Sequence, residues 1–405
     1  MKYRGASSLR HDKKSFTVKL LNADGGEYLD APIFGIRNDD TWILDAMAID
    51  RVRMRNRLNF DVWNAMSKTP YATDYDQRNG TQGVFVELFI NGQYHGLYCC
   101  SDKVNRKLLG VKKVKNDDGN ATIRGVIYKG AQWCEATKLN GYDDESMTGP
   151  MWNNWELEYP DDYPCAEAYT PLKDFIDYCT TTTDEELAAG INDRFYWHNF
   201  VDYCVLLLSQ GLLDNHLKNS FLSIVNINKK RCFMLTPWDL DASLGGTYSG
   251  AYYPSAADTQ RLLEVSLFRR MWENDLNGFT TAIANRWRML HTAVLSEQAF
   301  NDRVDAYAHS FIESGAWERE YLMWNGNPVP LARDLNEETA YIEDWYHKNC
   351  RHLEQHIFKD IESGITEQVC TASPDATATY NLQGQKVDAS YKGIVITKGR
   401  KMIRR

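Results

Sequence analysis

Residues 211–241 read GLLDNHLKNSFLSIVNINKKRCFMLTPWDLD. A polar loop, 212–219, is followed by two apolar runs, 220–227 and 232–236, of the lengths and residue types that strands favour. The letters NKK separate the two runs and supply a polar turn. The segment is therefore predicted to be a loop that leads into a β-hairpin.

The chain on either side of this hairpin completes the pattern. Before the loop, apolar residues at helical spacing predict a helix over 193–210, and Gly211 is suited to end it. After the hairpin, the second strand leads directly to Asp239 and Asp241. Two carboxylates at the exit of an apolar strand must be hydrated, paired or bound to a cation.

Four side chains in this pattern suit phosphoryl transfer: Asp214, Asn219, Asp239 and Asp241. The reaction needs a carboxylate beside the attacking hydroxyl and oxygen ligands for the divalent cations that bridge the phosphates. In protein kinases the catalytic Asp and a metal-binding Asn stand five residues apart on one loop. That spacing also occurs at Asp344 and Asn349, so it decides nothing alone. The order of helix, loop, hairpin and aspartate is what favours a phosphotransferase.

The composition narrows the class of protein. A chain of 405 residues, 43% of them hydrophobic, is long enough for two lobes or domains. A net charge of -9 without a long basic block argues against a nucleic-acid partner. No run of 18 apolar residues occurs, so no membrane span is predicted. The nine cysteines include no CxxC pair, which argues against a zinc ribbon and favours buried, apolar roles.

An α+β protein is predicted, in four sections: 1–104, 105–362, 363–379 and 380–405. The first is rich in strand-like runs around a helix at 52–66, with an Asn-Gly hairpin turn at 91–92. The third has the Ser, Thr and Ala composition of a linker, and the fourth alternates as a small β unit. The second section ends in predicted helices over 262–274, 279–292, 297–314 and 337–362.

Five ordered blocks resemble the CotH kinase family, an atypical branch of the protein-kinase-like proteins related to a spore-coat protein. The blocks are RGASS (4–8) with KKSF (13–16), NDDTWIL (38–44) with RN (55–56), ELFING (87–92) with HGLY (95–98), DNHLKN (214–219) and PWDLD (237–241). The similarity covers about residues 2–350, and the order of the blocks makes it more specific than any one of them.

The resemblance implies an atypical protein-kinase-like fold of two lobes, with a small β-rich N-lobe, a mainly helical C-lobe and a small C-terminal β tail. It implies transfer of the γ-phosphate of ATP, with Mg²⁺ or Mn²⁺, to a Ser or Thr hydroxyl of a secreted or surface protein, or of the chain itself. Asp214 would be the catalytic carboxylate. Asn219, with Asp239, Asp241 or both, would hold the metal.

The resemblance also implies nucleotide contacts in the first section. Backbone N–H groups of the opening block would lie near the phosphates, lysine side chains of the next strand would offset their charge, and 101–104 would form a hinge near adenine. Asp102 stands where the family has a glutamate, with the same charge and a shorter reach. The implied nucleotide-binding residues are Gly5, Ser7, Ser8, Lys14 or Lys19, and Asp102.

The two ends of the chain carry expectations about location. The family places β-structure and a secretion signal before the RGASS block, so we expect a truncated N-lobe and an extracellular or cell-surface protein. The YNLQGQKV stretch (380–387), with GIVI (393–396) and a basic end, is similar to C-terminal sorting tails of secreted proteins in Bacteroidetes-type bacteria. The alternative for the tail is a small hairpin packed on the body.

Two other classes of protein fit parts of the pattern. A strand ending in Asp-x-Asp is also the metal-binding signature of many nucleotide-sugar glycosyltransferases and resembles the nucleophile motif of haloacid-dehalogenase-type phosphatases. Both require Rossmann-like βα repeats, which this order of elements does not predict. A non-catalytic surface-binding module or pseudokinase is the third reading, with the Trp- and Tyr-rich stretch 152–163 as a carbohydrate platform or as interlobe packing.

Overall fold

The structure, a computed structural model, describes residues 1–71, 77–117, 120–161, 166–361, 379–381, 393–397 and 400–404. The chain forms two compact units, Met1–Glu362 and Ser363–Arg405. The mixture of sheets and helices in the larger unit is α+β, as predicted. The predicted linker 363–379 lies outside the described residues except for Thr379.

The strands of the larger unit pair in antiparallel fashion. In chain order they are β1 (Lys2–Arg4), β2 (Ser15–Lys19), β3 (Ala31–Pro32), β4 (Asn38–Asp39), β5 (Thr41–Asp45), β6 (Gly83–Ile90), β7 (Gln93–Asp102), β8 (Lys115–Asp117), β9 (Asn120–Thr122), β10 (Val126–Gly130), β11 (Met147–Thr148), β12 (Met151–Trp152), β13 (Trp155–Tyr159), β14 (Ser220–Ile224) and β15 (Met234–Pro237).

Two main sheets arise from these strands. The first has the order β1-β2-β5-β7-β6, and the second has the order β11-β12-β13-β10-β14-β15. The predicted Asn-Gly turn joins β6 to β7, with φ of 52° at Asn91 and 79° at Gly92, the left-handed backbone that a two-residue hairpin turn requires. The hairpin predicted over 220–236 is the pair β14 and β15, at the end of the second sheet.

Helices cover much of the rest of the larger unit. The α-helices are α1 (Arg55–Met66), α2 (Thr170–Thr181), α3 (Asp184–Gly190), α4 (Trp197–Gln210), α5 (Ser266–Glu273), α6 (Phe279–His291), α7 (Glu297–Glu313), α8 (Ala316–Trp324) and α9 (Leu335–His352). Short 3-10 turns occupy Ser7–Arg10, Ala166–Tyr169, Ile191–Asp193, Leu262–Glu264 and Leu276–Gly278, and a π-helical turn, Leu353–Ile357, continues α9.

Helix α4 runs through the core and ends where the sequence indicates. Nearly every residue of α4 is buried, because the helix packs between the second sheet and the helices that follow. Gly211 closes it with φ 57° and ψ 48°, and a Cβ at this position would come within 2.3 Å of the Trp345 ring. Both the backbone conformation and the packing therefore require glycine here.

Helix α8 is absent from the helices predicted by periodicity. Gly315, with φ 70°, separates it from α7, and the nine residues of α8 are too few for a clear periodic signal. Its inner face nevertheless carries Trp317 and the fully buried Glu320.

Burial agrees with the readings of the cysteines and of the aromatic stretch. The described cysteines are free, and all but Cys134 are buried. Trp152 and Trp155 are almost completely buried in the main core, so they pack the interior and do not form an exposed platform. In the described part of the chain, the helices are too short or too polar to serve as a membrane span.

The smaller unit contains three strands in its described residues. These are β16 (Thr379–Asn381), β17 (Gly393–Thr397) and β18 (Arg400–Arg404), in that order in one antiparallel sheet. Strand β17 contains the alternating GIVI stretch from which a small β unit was predicted.

Candidate active site

A cavity of about 560 Å³ lies between the two main sheets. Its walls come from β2, β5 and β7 of the first sheet and from β10, β12 and β13 of the second. The first residues of the chain, helix α1 (with Asn56) and the loops after α4 and β15 complete the lining. Seven residues predicted from sequence line it: Gly5, Ser7, Ser8, Asp214, Asn219, Asp239 and Asp241. The fold therefore brings the opening block, the polar loop and the acidic exit of the hairpin to one place.

The polar loop after α4 fixes the carboxylate of Asp214. Both carboxylate oxygens accept hydrogen bonds from Lys218 Nζ, at 2.8 and 2.7 Å. Asn219 Nδ2 donates to Asp214 Oδ2 at 2.8 Å, which leaves the amide oxygen of Asn219 as the atom that could bind a cation. Lys218 Nζ also lies 4.7 Å from the centroid of the Trp133 ring, a cation–π contact that restrains the ammonium.

Asn215 ties this loop to the end of the hairpin. Its side chain is fully buried, and Nδ2 donates to the carbonyl oxygens of Trp238 (2.6 Å) and Asn219 (3.1 Å). Backbone hydrogen bonds run from Asn219 N to Gly130 O (2.9 Å) and from Trp238 N to Asn219 O (3.0 Å). Asn215 was not among the predicted site residues. Its position beside Asp214 was nevertheless a signal, because a buried loop without regular backbone pairing needs side-chain amides to bond its backbone carbonyl groups.

Asp239 and Asp241 face the cavity beyond β15. Asp239 is exposed to the cavity and Asp241 is half-buried. Although solvent reaches Asp239 through the cavity, the protein atoms around the carboxyl desolvate it and raise its pKa, and the charge of Asp45 adds to this rise. Burial also raises the pKa of Asp241 well above its usual range, with the charge of Asp239 as the next cause. Both carboxylates would gain from a bound cation.

Five Lys and Arg side chains outside the predicted set also line this cavity: Arg4, Lys13, Arg57, Lys129 and Lys218. The charges of Arg4 and Lys129 act against the raised pKa of Asp239. The Arg4 guanidinium lies 5.5 Å from the centroid of the Trp238 ring. The cavity therefore combines acidic and basic groups, as a site for metal-bound phosphates requires.

Lys13 is the most buried of these cations. Its Nζ donates to Glu320 Oε1 and to Leu97 O, each at 2.6 Å, and Arg53 Nε binds the same Glu320 oxygen at 2.7 Å. Burial lowers the pKa of Lys13 to about 7, although Glu320 opposes this shift. Burial acts to raise the pKa of Glu320, but Lys13 and Arg53 together lower it. The ion pair joins the start of β2 to α8.

The structure does not bring the other predicted nucleotide contacts to the cavity. Lys14 Nζ donates to Leu9 O at 2.6 Å, and Lys19 Nζ lies over the Tyr28 ring at 4.2 Å. Asp102 is fully buried in an ion-pair network with Arg37 (2.9 Å) and Arg78 (2.6 Å), while its neighbour Ser101 lines the cavity. Successive residues of a strand face opposite sides, so the sequence contained a signal for choosing between neighbours.

Gly5 shapes the opening block at the edge of the cavity. Its φ is 112°, a conformation that L side chains rarely adopt, and a Cβ there would lie 1.9 Å from Ser8 Oγ. The block therefore depends on glycine to turn the chain into Ser7–Arg10, and this turn places Ser7 and Ser8 on the cavity wall.

The oxygen donors of the cavity fit a hard divalent cation. Carboxylate and amide oxygens of Asp239, Asp241 and Asn219 are the ligands that Mg²⁺ and Mn²⁺ prefer. In the described ranges, one group of three acidic residues has its ligand atoms all within 4.8 Å, and it is Asp30, Asp39 and Asp40, away from the cavity. Mg²⁺ usually takes one or two carboxylates and completes its shell with water and substrate phosphates, so Asp239 and Asp241 are enough protein carboxylates for one ion.

Comparison with known proteins assigns the family. The family model described as CotH kinase protein matches residues 1–353, which include every residue described above for the cavity. No curated protein matches the chain. A match over most of the chain, together with the cavity that unites its ordered blocks, shows that this protein belongs to the CotH kinase family.

Proposed function

We propose that this protein is a metal-dependent protein kinase that transfers the γ-phosphate of ATP to Ser or Thr hydroxyls of extracellular or surface proteins, and to itself. One observation carries the proposal. Asp214 and Asn219, on one loop, share a cavity with Asp239 and Asp241 and with the cations Arg4, Lys13 and Lys129. Membership of the CotH kinase family supports the interpretation of this combination as a phosphoryl-transfer site.

Asp214 is proposed to accept the hydrogen bond, and then the proton, of the acceptor hydroxyl. Lys218 and Asn219 hold its carboxylate by three hydrogen bonds, so its position does not depend on the substrate. A base held in place contributes roughly 10²–10⁴-fold to the rate of a proton transfer. Lys218, already at the carboxylate, is also placed to offset charge on the transferred phosphoryl group.

Asn219, Asp239 and Asp241 are proposed to hold the divalent cation. The bound cation would bridge phosphate oxygens and offset the charge that develops during transfer. Asp239 is the more exposed of the two carboxylates and is the better candidate for direct ligation, while Asp241 adds charge from a less exposed position. Arg4 and Lys129, whose charges act on Asp239, are placed to contact phosphate oxygens.

The two sheets on either side of the cavity support a two-lobe arrangement. The first sheet with α1 would form the N-lobe, and the second sheet with the later helices would form the C-lobe. The Lys13–Glu320 pair corresponds in chemistry to the Lys–Glu ion pair that protein kinases require near the phosphates. Here the glutamate is supplied by α8, late in the chain.

Labelled phosphate transfer from ATP tests the proposal. We expect autophosphorylation and phosphorylation of an acidic acceptor protein in the presence of Mg²⁺ or Mn²⁺, and a loss of at least about 100-fold in Asp214→Asn and Asp239→Asn. Asp344→Asn is the matched control, because Asp344 has the same spacing to Asn349 but lies exposed on α9, paired with Lys348. Its rate should equal that of the wild type.

The same experiment separates the alternatives. Full activity in Asp214→Asn would contradict the catalytic assignment. No transfer by a folded protein that binds no ATP would favour a surface-binding module. Nucleotide-sugar binding would favour the glycosyltransferase, although β14 and β15 form an antiparallel hairpin and not a βα repeat.

A further inference from the structure

Helix α1 holds the turn that carries the two metal-site carboxylates. Leu240 stands between Asp239 and Asp241 and is completely buried. Its backbone N–H donates to Asn56 Oδ1 at 3.0 Å, and its carbonyl oxygen accepts from Asn59 Nδ2 at 2.9 Å. Both backbone polar groups of the residue that joins the carboxylates are thus bonded by side chains of α1.

The orientation of the Asn56 amide is fixed by Asp45 at the end of β5. Asn56 Nδ2 donates to Asp45 Oδ2 at 2.9 Å, and Asp45 Oδ1 accepts from Met47 N at 3.0 Å. An ionised carboxylate only accepts hydrogen bonds, so the amide must turn its nitrogen to Asp45 and its oxygen to the Leu240 N–H. Asn56 therefore links the first sheet to the turn after β15.

The turn needs such a restraint. Asp239 has φ 58°, in the left-handed region that residues other than glycine seldom occupy. Such a conformation is unfavourable and persists only where surrounding contacts determine it. Asn59 adds a second anchor, because Nδ2 also donates to Ser243 Oγ at 2.7 Å, just beyond the turn.

We propose that Asn56 and Asn59 are positioning residues that set the affinity of Asp239 and Asp241 for a divalent cation. The inference rests on the proposed function, because it takes these two carboxylates as the cation ligands. Residues that orient metal ligands typically change metal affinity by about 10- to 100-fold when they are replaced. The bonds of α1 to the turn place Asn56 and Asn59 in that role.

The test is the Kd of the full chain for Mn²⁺, measured by calorimetry without nucleotide. We expect Asn56→Ala to weaken Mn²⁺ binding by about 10- to 100-fold. Asn64→Ala is the control, because Asn64 lies on the same helix and also donates to one backbone carbonyl, Thr81 O at 2.8 Å, which lies outside the turn. Asn64→Ala should bind Mn²⁺ like the wild type, whatever its melting temperature.

A second variant covers the case in which Asn56→Ala does not fold. Asn59→Ala leaves the Leu240 carbonyl bonded to Ser243 Oγ at 2.8 Å, so the carbonyl keeps a partner while the anchor to α1 is lost. It should weaken Mn²⁺ binding in the same direction. A Kd within about twofold of the wild type in the folded variants, or an equal loss in Asn64→Ala, would overturn the inference.

Phosphate transfer, measured on the same samples, separates this inference from the proposed function. A wild type that transfers phosphate, with variants of unchanged Kd for Mn²⁺, would overturn the positioning role and leave the kinase standing. A wild type that binds Mn²⁺ without transferring phosphate, with weak binding in Asn56→Ala, would support the positioning role and count against the kinase. A wild type that binds no Mn²⁺ in the absence of nucleotide would overturn the positioning role, and phosphate transfer would still decide the proposed function.

Discussion

At the scale of single residues, Asp241 has a carboxylate whose ionised form is disfavoured in the folded protein. Burial and the charge of Asp239 raise its pKa, so its ionised form at neutral pH costs folding free energy. Asp241→Asn keeps the shape of the side chain and removes the charge. In metal-free buffer we expect the melting temperature to rise by roughly 1–2 °C, because about 1 kcal/mol shifts a unit as large as Met1–Glu362 by that much. Phosphate transfer should fall at least about 100-fold.

The cation dependence of stability checks that explanation. Mg²⁺ should raise the melting temperature of the wild type, because a ligand that binds the folded state stabilises it, and should raise that of Asp241→Asn much less. Calorimetry in chelator and in Mg²⁺ measures both effects. A lower melting temperature for Asp241→Asn in chelator would show that the carboxylate stabilises the fold, contrary to this account.

Lys13 is a basic group whose pKa the fold lowers, whereas Asp241 is an acid whose pKa the fold raises, and its titration should make stability depend on pH. Its pKa is about 7 in the folded protein and about 10.5 when unfolded, so between these values the unfolded chain binds more protons. The contribution of Lys13 to stability should therefore be least favourable below pH 7 and should improve as the pH rises toward 10. Chemical denaturation from pH 6 to 9 gives the free energies of unfolding of the wild type and of Lys13→Met. The difference between the two should change with pH in favour of the wild type as the pH rises. A difference that is independent of pH would contradict it.

Lys14, the neighbour of Lys13, provides a comparison for the role of Lys13 in ATP binding. Lys14 or Lys19 was the contact implied by the resemblance, whereas Lys13 is the lysine of this segment that lines the cavity. We expect Lys13→Met to lower kcat/KM for ATP by at least about tenfold, because Lys13 lines the cavity and its loss leaves Glu320 without this partner. Lys14→Met should lower it less, because Lys14 donates to Leu9 O and does not line the cavity. Equal losses in steady-state assays would count against the structural assignment.

At the scale of elements, the features found from sequence are those with a local cause. Asn91-Gly92 forms its hairpin turn from two adjacent residues, and Gly211 ends α4 within one turn. The contacts that were not predicted join positions far apart in the chain. Lys13 and Glu320 are separated by 307 residues, and Asn56 and Leu240 are separated by 184 residues. Hydrophobic periodicity identifies the buried face of a single helix or strand, and it does not identify the element against which that face packs. Glu320 was the harder case, because it lies on the short helix α8.

Gly211 provides a prediction about α4 and the loop that follows it. Gly211→Ala must place a methyl group in a left-handed backbone and within 2.3 Å of Trp345. Gly278→Ala is the matched control, because Gly278 has a similar φ of 69° but its methyl group would enter open space. The control should lose about 1 kcal/mol of stability and Gly211→Ala at least about 2 kcal/mol more, by urea unfolding. Similar losses in the two variants would show that Trp345 yields to the methyl group.

At the scale of the whole molecule, the cavity is a product of chain topology that no single motif contains. Its carboxylates come from β5, from β13, from the loop after α4 and from the exit of β15. Its cations come from the chain's first residues, from α1, from β10 and from the loop after α4. The ordered blocks indicated that these segments belong together, and the family match over residues 1–353 agrees. Which member of each block faces the cavity depends on strand alternation and on tertiary packing, which is why Lys13 and Ser101 line it and Lys14 and Asp102 do not.

The larger unit should therefore work without the smaller one. Met1–Glu362 contains the cavity, the family match and a core that extends to Phe358. A chain ending at Glu362 is expected to melt within about 1 °C of the full chain and to transfer phosphate at a rate within about twofold, because it keeps the whole of that core. A chain ending at His352 is the informative comparison, since it also loses Leu353 and Phe358, both fully buried, and should melt at least about 5 °C lower. If the chain ending at Glu362 melted as low as the one ending at His352, residues after 362 would have to support the fold of the larger unit.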